Sequence, residues 1–138
     1  MLAEIELKIN EMYARGEALT ADVLNSTYRE LNKLYFGEGV VIDSEIDLEW
    51  ARIPHFYYEF YVYQYATGYS AAIALSQRIL TGGEEAVKDY IGFLKGGCSK
   101  DPISLLKGAG VDMTTAAPIN DALKLFGELI GEMRELMK

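Results

Sequence analysis

The sequence predicts an all-α fold, a multi-helix bundle. Three observations carry that expectation. Apolar residues recur at helical spacing through most of the chain, the pattern of helices that each turn one face to a core. Threonine and proline stand where such runs begin and glycine where they end, as caps and stops require. One stretch runs from Pro54 to Leu80 with only Gly68 to interrupt it.

The elements follow in order. Residues 2–15 place Leu2, Ile5, Ile9, Met12 and Tyr13 on one helical stripe, and Gly16 follows as a stop. No Ser, Thr, Asp or Asn precedes Leu2, so the helix starts uncapped inside its own pattern, as a frayed natural terminus or the C-terminal portion of a longer protein would. Thr20 suits the N-cap of a second helix with the stripe Val23, Leu24, Tyr28, Leu31, Leu34 and Tyr35, closed by Gly37 and Gly39. Residues 37–54 read as a loop in which Val40, Val41 and Ile42 can extend. Pro54 fits a first helical turn, where its missing N–H loses nothing. Residues 55–80 then read as one long helix, interior on most faces, broken at Thr81-Gly82-Gly83. Glu84–Lys95 forms a further amphipathic helix through Val87, Tyr90, Ile91 and Leu94. Pro102 opens a short one through Ile103, Leu105 and Leu106, ended by Gly108 and Gly110. The last helix spans about 118–137, with Ile119, Leu123, Leu125, Phe126, Leu129, Ile130 and Met133 as its apolar positions.

Composition narrows the function. The 138 residues suffice for one domain or a piece of one. Twenty-one acidic against thirteen basic side chains give a net charge of −8, which repels phosphate backbones and anionic headgroups and argues against nucleic acid and membrane as partners. No apolar run is long enough to span a bilayer. Cys98 is the one cysteine, so no disulfide framework is available and a reducing, cytoplasmic setting is expected. One histidine stands among ten tyrosines. Any metal site needing two histidines is thereby excluded within this chain.

That histidine heads an aromatic stretch. From His55 to Tyr69 the chain carries Phe56, Tyr57, Tyr58, Phe60, Tyr61, Tyr63, Tyr65 and Tyr69. On a helix, Tyr58 and Tyr65 fall within about 20° of each other, with His55 roughly 60° to 80° from both. One imidazole and two phenols then share a strip of surface. Their O–H and N–H groups can donate to a developing oxyanion or to a peptide main chain. Packing is the competing reading for Phe56, Tyr57, Phe60 and Tyr63. Six phenols in so short a span strain it, because each buried O–H needs a partner and phenylalanine would not. A wet groove on at least one face is the expectation.

Ile53-Pro54-His55-Phe56-Tyr57-Tyr58, followed by Phe60-Tyr61-Val62-Tyr63-Gln64-Tyr65-Ala66-Thr67-Gly68, resembles the hallmark stretch near the C-terminus of oligoendopeptidase F. That family stands with thimet oligopeptidase among the zinc-dependent oligopeptidases. The resemblance extends over Gly16–Ala21, Tyr28–Leu31, Ser70–Leu75 and Gly110–Thr114, and so covers essentially the whole chain. It implies a helical C-terminal segment of a larger catalytic domain that cleaves internal bonds of short peptides. It also implies one zinc, held by a His-Glu-x-x-His helix and a later glutamate. Neither that motif nor a second histidine occurs here, so the resemblance puts the ligands upstream of Met1. None of Glu4, Glu6 and Glu11 is assigned to metal, and the fragment alone is expected to be inactive and to hold no zinc.

By the same resemblance, Tyr65 stabilises the oxyanion and His55 hydrogen-bonds the substrate, with Tyr58 as substrate contact and Tyr61 as the alternative to it. Gly68 either admits a neighbouring helix or substrate, or merely relieves crowding beside Tyr65. The competing class of function is a non-catalytic helical module that self-associates into homo-oligomers or binds a partner peptide.

Overall fold

A computed structural model describes residues 1–138. It is all-α, with no strand. Helices α1 (Leu2–Ala14), α2 (Ala21–Phe36), α3 (Tyr63–Gly96), α4 (Pro102–Gly108) and α5 (Ala117–Leu136) follow in chain order, with two 3₁₀ segments, Ser44–Arg52 and Pro54–Tyr57, between α2 and α3. The chain divides into two compact units, Met1–Ala66 and Thr67–Lys138.

The first unit is built on α1 and α2. Met1 caps α1 with no side-chain hydrogen bond, whereas the Thr20 hydroxyl accepts from the Val23 N–H at 3.3 Å and starts α2 as its sequence position requires. Gly37, at φ 71°, ends α2. Ile5, Tyr28 and Leu31 form the core, with Met1, Ile9, Ile46, Trp50 and Phe56 packed on it. Leu34 and Tyr35 of the expected α2 stripe are exposed instead. The expected loop after α2 holds the nine-residue 3₁₀ segment Ser44–Arg52. Polar contacts tie it down: the Trp50 indole N–H donates to Asn25 at 2.8 Å, the Tyr28 hydroxyl to Glu49 at 2.7 Å, and Arg29 to Asp47 at 2.7 Å. Burial, reinforced by the bond to Glu49, pushes the Tyr28 phenol well above its ordinary range.

The long helix departs most from expectation. It begins at Tyr63, not at His55: Pro54–Tyr57 is one 3₁₀ turn, Tyr58 is extended at φ −105°, ψ 135°, and Phe60 adopts φ 48°. It is also not interior on most faces, since only Ser70, Ala71, Leu75 and Ala86 are buried along α3. The expected break is real and lies at Gly83, whose φ of 66° and ψ of −155° kink the helix.

In the second unit, Leu75, Ala109 and Val111 form the core with Tyr90, Phe93 and Leu106 against them. Arg78 and Asp89 pair across the kink at 2.6 Å. Gly110, at φ 83°, passes so near the Arg78 guanidinium that a Cβ would lie 2.5 Å from it, so a side chain there would be strained and would have to displace the guanidinium. The Asp101 carboxylate caps α4 by accepting the Ser104 N–H at 2.8 Å. Only Pro118 of α5 is buried.

Candidate functional site

The aromatic segment folds back on itself in the first unit. Pro54 fixes the 3₁₀ turn that presents His55, and the turn at Phe60 swings the chain round into α3. Four of the predicted residues meet there. The Tyr61 ring stacks on the His55 imidazole, centroids 5.0 Å apart and planes within 6°. Tyr65 meets the same imidazole edge-on at 5.7 Å, and Tyr58 lies at 6.5 Å from it. Tyr61 in turn stands 6.0 Å from Tyr58 and 5.9 Å from Tyr65. The rings therefore converge, although not on one helical strip: a turn, not a shared helix face, brings Tyr58 to Tyr65.

Their polar atoms are accessible. The Tyr65 hydroxyl is 3.5 Å from His55 Nε2, and Tyr58 and Tyr65 are 59% and 58% exposed while His55 is half-buried. Hydrogen bonding with the Tyr61 phenol, ahead of desolvation, holds the Tyr65 phenol above its ordinary 10.0. Tyr65 thus keeps its proton at neutral pH, as a hydrogen-bond donor must. Of the residues read as packing, Phe56 does pack on the core, whereas Tyr57, Phe60 and Tyr63 are exposed. The phenols that strained a dry core stand at the surface instead, and the Tyr57 hydroxyl donates to the Ala51 carbonyl at 3.0 Å.

Gly68 is not part of the ring cluster. It belongs to the second unit, where it lines a cavity of about 390 Å³ with Ala72, Ile79 and Phe93, and a Cβ there would meet nothing within 4 Å. No element of this chain approaches it closely enough to demand glycine.

Sequence reasoning passed over Glu6. It is 3% exposed, and its carboxylate accepts three successive main-chain N–H groups: Tyr61 at 2.7 Å and Val62 at 2.6 Å on Oε1, Tyr63 at 2.9 Å on Oε2. The available signal was its phase, four residues after Leu2 and three before Ile9, which puts a charge on the apolar stripe of α1. No three His, Cys, Asp or Glu side chains come together as a metal-binding group.

A family comparison decides the kinship: the pattern of peptidase family M3 matches residues 1–125. The chain belongs to peptidase family M3. It is 58% identical over 137 residues to Oligopeptidase PepF of Bacillus subtilis, covering 99% of this chain and 20% of that protein. It is 44% identical to the plasmid-borne oligoendopeptidase F of Lactococcus lactis subsp. cremoris, covering 99% of this chain and 23% of that one. The crystal structure of oligoendopeptidase-F from Enterococcus faecium superposes with a TM-score of 0.90 at 44% identity, over 99% of this chain and 26% of the other. This M3 chain thus spans about a fifth of the length of the curated relatives it matches. No helix in it is long and apolar enough to cross a membrane.

Proposed function

We propose that this chain supplies the substrate-binding and oxyanion-stabilising part of a zinc peptidase that hydrolyses short peptides in the cytoplasm, with the metal held by residues outside these 138. The observation that carries the reading is the convergence of the Tyr65 hydroxyl and the His55 imidazole, 3.5 Å apart on an accessible surface. A scissile carbonyl oxygen placed beside them gains charge as it becomes tetrahedral. A protonated phenol aimed at that oxygen then stabilises the transition state more than the ground state. In this reading Tyr65 is the oxyanion donor. His55 hydrogen-bonds the substrate, and Tyr58 or Tyr61 holds its main chain while the rings cover apolar side chains.

The test is Tyr65→Phe in the full-length peptidase that carries this chain. Expected is a fall in kcat of about 10²- to 10³-fold, the range found on removing one oxyanion donor, with KM little changed. An unchanged kcat would return Tyr65 to packing.

For the chain by itself, the second reading is a catalytically inert helical module that pairs with a second copy. It is favoured by α5, where Ile119, Leu123, Phe126, Ile130 and Met133 follow one another at alternating steps of four and three residues, the seam of a coiled coil. Leu123 and Phe126 are each 63% exposed.

A further inference from the structure

The Glu6 carboxylate is buried and no lysine or arginine pairs with it. A carboxylate withdrawn from water without an ion pair must have its charge met by hydrogen bonds. Here it is met wholly by the N–H groups of Tyr61, Val62 and Tyr63, at the start of α3, where main-chain donors lack intrahelical partners and a negative charge is favoured. The residue just before them, Phe60, is the one non-glycine residue with positive φ, at 48°. A bulky side chain holds that conformation only where its surroundings impose it, and three charge-assisted bonds immediately downstream do so.

The clamp connects to the ring cluster by short links. The Tyr61 N–H is bound to Glu6 while its ring stacks on His55. Val62 is bound to Glu6 through its N–H and accepts the Tyr65 N–H at 3.2 Å through its carbonyl. Two of the three rings around His55 are thus one or two bonds from the carboxylate. We propose that Glu6 is a positioning residue of the aromatic site, its buried carboxylate clamping the Phe60–Tyr63 turn that holds Tyr61 and Tyr65 against His55. The assignment of a catalytic consequence rests on the reading of Tyr65 given above.

The experiment uses Glu6→Gln and Glu6→Ala in the full-length peptidase, with amide hydrogen exchange and kinetics on the same samples. Glu6→Gln keeps the shape and one accepting oxygen but sets an NH₂ group against a main-chain N–H, so it tests the clamp even where Glu6→Ala does not fold. Expected is exchange at the amides of Tyr61, Val62 and Tyr63 faster by about tenfold or more, with core amides at Tyr28 and Leu31 unchanged, as local rather than global opening gives. Expected too is a kcat about tenfold lower with KM nearly constant, and a Glu6→Gln/Tyr65→Phe double variant no slower than Tyr65→Phe alone, the non-additivity of two groups acting as one. Unchanged exchange at these three amides would overturn the clamp. Faster exchange with unaltered kcat, in an enzyme that Tyr65→Phe does impair, would overturn its role in positioning. If Tyr65→Phe itself leaves kcat intact, the failure belongs to the oxyanion reading, and the exchange data still decide the clamp.

Discussion

At the scale of single residues, Phe60 is where backbone conformation and site meet. A left-handed conformation costs an L-residue about 1–2 kcal/mol and glycine almost nothing. Phe60→Gly should therefore be more stable than Phe60→Ala by about 1 kcal/mol in urea denaturation, both variants having lost the same ring contacts. Equal midpoints would show that residue 60 bears no strain. Tyr65 and His55 could be chosen as candidates from the sequence because hydrogen-bond donation is carried by residue type. Glu6 could not, since a glutamate on a helix is ordinarily a solvated charge, and its partners are main-chain groups 55 to 57 residues away. Nothing in a sequence marks those amides as donors in need of an acceptor.

At the scale of elements, local signals reported faithfully wherever a cap or a stop decides the boundary. Thr20, Gly37, Gly83 and Pro102 all sit where those signals put them. The start of α3 failed because the aromatic run keeps a helix-like composition through a 3₁₀ turn and an extended residue, and Pro54 serves a 3₁₀ start as well as an α start. The short helix α4 makes a further prediction. Hydrogen bonding to Ser104 lowers the Asp101 carboxyl below its ordinary 3.8, and the Lys107 ammonium with Thr114 takes Asp112 down to about 2. Both groups have folded values below their unfolded ones, so their contribution is present above the ordinary aspartate range and disappears as pH falls through the folded value. Denaturation midpoints should drop between pH 3.8 and about 2, and Asp112→Asn should flatten that drop. A variant as acid-sensitive as the parent would remove Asp112 from the account.

At the scale of the whole molecule, the all-α class was legible because apolar residues recur at helical spacing along the chain and because α2 and α4 start on side chains that cap them locally. The division into two units was not, because nothing in a helical stripe says which of several cores it serves. The exposed seam of α5 sets a test at this scale. Sedimentation should show the isolated chain as a dimer whose constant rises with concentration, and Phe126→Glu should leave a monomer, since a charge at the centre of an apolar seam is not tolerated. A monomeric parent chain would rule the pairing out. The clamp on the aromatic turn carries a different kind of consequence. It bridges fifty-five residues of chain, and closing so long a loop loses entropy before any contact repays it. The ring contacts themselves are local, but the Phe60 turn is clamped only once α1 has docked, so the first helix is expected to set when the turn takes its final geometry.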